Sequence, residues 1–112
     1  MFLQRVEVTC AAGQEAAFEA ALCEVRQRVF MSPGFRGFSV AQNVEQSSTY
    51  LVHVSWESLE ELADFGRTRF DGCWAPVWPF LARQLEVDHF AEREGLALRG
   101  PGVVTDLAWL AD

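Results

Sequence analysis

Two histidines, three cysteines and four tryptophans are the side chains through which this 112-residue chain can do chemistry. A histidine titrates near neutral pH and can act as a general base. His53 and Trp56, three residues apart at the end of one apolar run, form the candidate catalytic pair. Trp56 offers a face for stacking an aromatic substrate and an indole N–H; its structural alternative is a core or pocket-wall residue. His53 lies on the opposite strand parity from Trp56, and its alternative is a histidine satisfied at a subunit face. His89 carries the same alternative on an outer strand. Trp74 and Trp78 are one helical turn apart and would wall a flat ligand, or else close the open end of a sheet as core. With Phe38 and Phe65 they would line an apolar substrate cavity around Trp56.

Other chemistries find less support. Cys10, Cys23 and Cys73 are an odd count without a C-x-x-C, which reads as reduced thiols of a cytoplasmic protein. Only Arg67 and Arg69 lie near Cys73 in sequence, so its thiol is not expected to be activated. The cysteines and histidines show no zinc spacing, so no metal is expected. No Ser-His-Asp, nucleotide or paired-carboxylate signature stands out. All nine cations are arginines, against 16 acids. Without a lysine amine, Schiff-base chemistry, pyridoxal phosphate anchoring and a P-loop are excluded. The net charge of −7 argues against nucleic acid and anionic membrane partners. The longest stretches without a charge, Gln46–Trp56 and Gly72–Ala82, are eleven residues each, about half of what a spanning helix needs. Arg5 and Glu7 interrupt the N-terminus before a signal peptide could form.

The elements that would position these residues follow from periodicity. Phe2–Thr9 alternates as a half-buried strand, with Gln4, Val6 and Val8 on one parity. From Gln14 the period becomes helical: Phe18, Leu22, Val25 and Val29 share a face, and the helix ends near Met31, before Pro33 and Gly34. Phe35–Gln42 is a second strand, Asn43–Ser48 a polar turn, and Thr49–Trp56 a central strand with apolar residues on both faces. Ser58 and Glu61 form a capping box for a second helix that ends by Asp71-Gly72. Cys73–Arg83 reads as a further short helical piece, because Pro76 and Pro79 fall near its start. Leu85–Ala91 is the fourth strand, with Leu85, Val87, His89 and Ala91 on one parity.

The order βαββαβ predicts an α+β, ferredoxin-like domain over residues 1–94: an antiparallel sheet with both helices on one face. Residues 95–112, with Leu107, Trp109 and Leu110, form a tail expected to pack as a short helix on the domain or its partner. Helices on one face leave the other bare. Strands apolar on both parities then call for a partner, most simply a second copy.

Several motifs carry a family resemblance. Pro33-Gly34-Phe35-Arg36-Gly37-Phe38 resembles the PG-x-x-G turn of antibiotic biosynthesis monooxygenase domains, and Trp56-Glu57-Ser58-Leu59-Glu60-Glu61-Leu62 resembles their W-E-S-x-E-x-L junction. Phe18 and Leu22 in the first helix and Val87-Asp88-His89-Phe90 also fit, so the resemblance covers about residues 1–92. It implies a dimeric α+β barrel, and the family includes cofactor-independent oxygenases of polycyclic phenols and quinols as well as heme-degrading enzymes. The strand-ending tryptophan matches Trp56. Where the polyketide oxygenases have an asparagine four residues earlier, this chain has Val52; where many members have a histidine nine residues later, it has Phe65. The region of the heme-ligating histidine reads Cys73-Trp74-Ala75-Pro76, so heme degradation is the less favoured branch. The resemblance therefore implies a cofactor-independent monooxygenase of a small aromatic substrate. The alternative is a non-catalytic dimeric domain for ligand binding or assembly.

Overall fold

The computed structural model describes residues 1–96. Strands β1 (Phe2–Thr9), β2 (Phe35–Gln42), β3 (Thr49–Trp56) and β4 (Glu86–Ala91) form one antiparallel sheet in the order β2-β3-β1-β4. Helix α1 (Glu15–Phe30) links β1 to β2. Between β3 and β4 come α2 (Leu59–Thr68), α3 (Phe70–Trp74) and a 3₁₀ segment, Ala75–Phe80. The fold is thus the expected α+β, ferredoxin-like plan. No described helix is long and apolar enough to cross a membrane. The expected tail helix lies, past Leu96, outside the described residues.

The core forms where two periodicities meet. Val6 and Val8 of β1, and Tyr50, Val52, Val54 and Trp56 of β3, point to the helical side and are buried. Phe18, Leu22, Val25 and Val29 of α1 descend onto them from one helical face. Burying such side chains contributes about 1.5–3 kcal/mol each before chain entropy opposes it. Tyr50, the chain's one tyrosine, ties the layers together: its hydroxyl donates to a Glu19 carboxylate oxygen at 2.7 Å. Burial first, and then that hydrogen bond, push the Tyr50 phenol far above its ordinary range. The unfolded chain ionises Tyr50 near pH ~10 while the folded one does not. Below about pH 10 the group leaves stability unchanged, and above it stability falls as pH rises. Denaturant midpoints measured across that window should decline in the wild type and decline less in Tyr50→Phe.

The helical side of the loop between β3 and β4 differs from the expectation. Helix α2 stops at Thr68 rather than near Asp71-Gly72, because Arg69 leaves helical geometry with φ −125°. The chain restarts at once as α3, and after Trp74 it tightens to 3₁₀. Pro76 and Pro79 have no N–H to donate, so an α-helical ladder cannot continue through them. The cap of α2 is as expected: the Ser58 hydroxyl accepts from the Glu61 N–H at 3.1 Å. Ser58→Ala should lower stability by about 1 kcal/mol, read as a shift in denaturant midpoint; an unmoved midpoint contradicts the cap's role.

At the turn before β2, Gly34 has φ +82° and its carbonyl accepts from the Glu57 N–H at 2.8 Å. A Cβ at Gly34 would sit 2.6 Å from both Glu61 carboxylate oxygens. Arg36 is then bulged out between the Phe35–Trp56 and Gly37–Ser55 pairs and reaches the Glu57 carboxylate.

The outer face of the sheet is less apolar than the strand patterns predict. Leu3, Leu51 and Phe90 share it with Arg5, Glu7, His53, Ser55, Glu86 and Asp88. Arg5 pairs with Asp88 at 3.2 Å. Glu7 and Glu86 lie opposite each other, and hydrogen bonding to Glu7 raises the Glu86 carboxyl above its usual range. This carboxylate pair is invisible in sequence, because it depends on the register of β1 against β4.

Candidate functional site

The inner face of the sheet carries its chemistry at one end. Cross-strand partners share a face, so the register sets out two rows there. Phe38, Val54, Gln4 and His89 form one row; Phe35, Trp56, Phe2 and Ala91 form the next. Trp56 and Gln4 are therefore diagonal neighbours across the β1–β3 ladder. Above them, aromatic rings run in an unbroken series: Phe35 meets Trp56 edge-on at 6.3 Å, and Trp56 tilts against Phe65 at 4.7 Å. Phe65 then meets Phe70 at 6.1 Å, and Phe70 stacks on Trp74 at 5.7 Å.

Polar atoms stand inside this apolar end without partners. The indole N–H groups of Trp56 and Trp74 and the Oε1 atom of Gln4 are all buried, and no described residue bonds them. Gln4 itself is 1% exposed; its Nε2 lies 3.2 Å from Nε2 of His89. Buried polar atoms are overwhelmingly paired in folded proteins, and each one left unpaired costs about 1–3 kcal/mol. Arg5 Nε and Ser32 Oγ are buried and unbonded in the same way, and each such group in a fold calls for an explanation.

Two sets of clefts reach toward the row of rings. A trough between α1 and β2 holds one cleft of about 560 Å³, lined in part by Phe30, Met31, Phe35 and Phe38, and one of about 310 Å³; Arg26 and Phe38 line both. Val40 of β2, which lines the smaller of these clefts, is 44% exposed. A cleft of about 200 Å³ beside α2 is lined by Ser32, Pro33, Phe65 and Arg69, among others. Trp56 is thus one ring removed from each: Phe35 on one side, Phe65 on the other.

Of the residues singled out in the sequence, Trp56, Phe65 and Trp74 come together in this core, and Phe38 lies on the adjoining row facing the trough. Two do not join them. Trp78 is 41% exposed on the 3₁₀ segment. Four residues turn an α-helix about 40° past a full revolution, keeping Trp74 and Trp78 on one face, but turn a 3₁₀ helix about 120° past it. His53 lies on the outer face, paired in register with Arg5 and Ser39, so the sheet itself separates it from Trp56. Cys73 is buried beside Trp74. Among the described residues, no group of three or more His, Cys, Asp or Glu side chains could hold a metal ion.

Gln4 is the polar group that sequence reasoning passed over, and His89 was weighed without it, as a histidine of an outer strand. The signal was present: each is a polar residue on a parity otherwise filled with apolar side chains.

This arrangement of sheet and helices agrees with the comparisons with known proteins. A family model described as antibiotic biosynthesis monooxygenase matches residues 1–69. The chain belongs to that family. Among solved structures, an antibiotic biosynthesis monooxygenase family protein from Bordetella bronchiseptica superposes with a TM-score of 0.72 at 23% identity, covering 82% of this chain and 97% of that one. One from Deinococcus radiodurans gives 0.73 at 15% identity, covering 89% and 100%. The N63A mutant of SnoaB, a cofactor-independent oxygenase from Streptomyces nogalater, gives 0.69 at 16% identity, covering 85% and 96%. At these identities the likeness concerns the fold. No curated protein matches the chain. Within this antibiotic biosynthesis monooxygenase domain, Val52 and Phe65 occupy the positions four before and nine after Trp56, and both are buried apolar groups. The polar side chain buried in the sheet's inner face near Trp56 is Gln4, from β1.

Proposed function

We propose that this domain is a cofactor-independent monooxygenase acting on a flat phenol- or quinol-type substrate, and that it works as a cytoplasmic homodimer. Membership of the monooxygenase family supports the reaction class. The observation that carries the finer reading is the fully buried Trp56, whose indole N–H has no acceptor among the described residues while rings surround it. A phenolate oxygen is the acceptor such a donor lacks, and flat rings are the walls such a substrate needs. Phe38, Phe65 and Trp74 line its path or its seat.

The chemistry asks little beyond that. A bound phenol or enol loses its O–H proton to a base, and the electron pair stays on oxygen. The resulting anion passes one electron to dioxygen. The radical and superoxide combine as a peroxide, which regains the proton and releases water as a carbonyl forms. One CH₂ and one O₂ become one C=O and one H₂O, without an external reductant. An apolar, water-poor interior favours electron transfer from the anion and protects the peroxide.

Oxygen uptake with a panel of anthrones and quinols tests the reading. One dioxygen consumed per quinone formed, with apoprotein free of metal and flavin, is the expected result. If no member of a broad panel raises oxygen consumption above the buffer rate, the domain is a binding or assembly module instead. The dimer is tested separately by light scattering at micromolar concentration, where a particle of single-chain mass contradicts it. Leu3, Leu51 and Phe90 on the outer face supply the apolar part of such a contact.

A further inference from the structure

We propose that His89 is the general base of this site and that Gln4 is the residue that orients it. The proposal deepens the oxygenase reading and rests on it for the nature of the substrate.

The geometry begins with an amide in an improbable place. Gln4 sits between Val54 and His89 on the inner face, 1% exposed, with one end on the His89 ring and the other bonded by no described residue. The oxygen and nitrogen of a side-chain amide are exchangeable by a half-turn, and a histidine tautomer follows its partner. Whichever way the amide turns, one end holds Nε2 of His89 and the other faces the interior. With the oxygen turned to the ring, Nε2 carries the proton and Nδ1 presents a lone pair: the form a base requires. A purely structural amide would gain nothing here that a leucine of similar size would not.

Position supports the same role. His89 belongs to β4, the strand with the least burial, and is itself an exposed residue on the inner-face side. Substrate and water can therefore reach the imidazole, while Gln4 leads from it toward Trp56, its diagonal neighbour. A phenol whose O–H meets Nδ1 of His89 would give up its proton to the imidazole: the O–H bond breaks, an N–H bond forms, and the electron pair remains on oxygen. His53, the other histidine, is barred by the sheet.

The test uses 4-nitrophenol, a phenol that yellows on ionisation and does not feed oxygen chemistry. Below the probe's own pKa, wild-type protein should bind it largely as phenolate. His89→Ala should bind it with an affinity within about threefold but leave it neutral, and added imidazole should restore the colour. With an oxidisable quinol, the same substitution should lower kcat by about 10²–10⁴-fold with little change in KM, the range a general base supplies. Gln4→Leu should be at least as resistant to denaturant as the wild type, since it removes a buried amide with one end unbonded by any described residue, yet lose about tenfold in kcat without rescue by imidazole. A residue that merely packs would show the reverse. Ionisation of the probe by His89→Ala as by wild type overturns the proposal, as does failure of millimolar probe to bind the wild type. Oxygen uptake keeps the two readings apart. A wild type that ionises the probe through His89 but oxidises no quinol loses the oxygenase reading and keeps the base. Undiminished uptake in His89→Ala does the opposite.

Discussion

Trp56→Phe will lower turnover of a quinol substrate by about a hundredfold while leaving the protein folded. The substitution keeps an aromatic ring against Phe35 and Phe65 but deletes the indole N–H. A donor aimed at developing oxyanion charge inside a dry site is worth about 3 kcal/mol, and each 1.4 kcal/mol is roughly a factor of ten in rate. The stability change should be small for a specific reason. Losing part of a buried ring costs on the order of 1–2 kcal/mol. In this protein the indole N–H is buried without a partner among the described residues, so removing it returns about 1 kcal/mol or more of desolvation cost. Comparing kcat with the unfolding midpoint for the two proteins separates the effects. A variant that loses stability but keeps its turnover would place Trp56 among the core residues and remove it from the site.

The second large effect falls on Phe65. This ring is 2% exposed and touches Trp56 on one side and Phe70 on the other. Phe65→Ala should cost about 3–5 kcal/mol, a large part of the roughly 5–15 kcal/mol that holds a domain together. The helix cannot collapse onto the gap, because the Ser58 cap and Glu61 fix its start against the turn at Gly34. The cleft of about 200 Å³ that Phe65 lines would instead open onto Trp56. The expected signature is a much lower denaturant midpoint together with faster quenching of tryptophan fluorescence by iodide. Loss of less than about 1 kcal/mol would mean that the site relaxes, and that the rings are not a packed series.

Local patterns in the sequence carried much of this architecture. The parity of β3 and the i, i+4, i+7, i+11 face of α1 are each written within a few residues of chain. So is the Ser58 cap. Each depends on one element's period, so the structure repeats them. The restart of the chain at Arg69 and the tightening after Trp74 were not legible in this way. They arise from one backbone departure and two prolines acting on a segment that looks helical by its aromatics. The site was legible only in part, for a different reason. Gln4 and His89 are 85 positions apart, and their hydrogen bond exists only because β1 and β4 pair in one register. A one-residue slip would send either side chain to the other face. Trp56 announced itself by position at a strand end; the amide that neighbours it did so only as a polar residue among valines.

The turn before β2 limits how this sequence can drift. Glu61 helps cap α2 and also lies over the bare Cα of Gly34, filling the space where a Cβ would go. The two positions are 27 apart in the chain, yet neither can change alone without cost. Gly34→Ala carries both a backbone penalty at φ +82° and a collision with the Glu61 carboxylate. A shorter residue at 61 removes only the collision. The two substitutions should therefore be non-additive: a double-mutant cycle would show Gly34→Ala less damaging beside Glu61→Ser than alone, with the left-handed penalty of about 1–2 kcal/mol remaining in both backgrounds. Among relatives, departures from glycine at this turn should travel together with loss of the long acid at the cap.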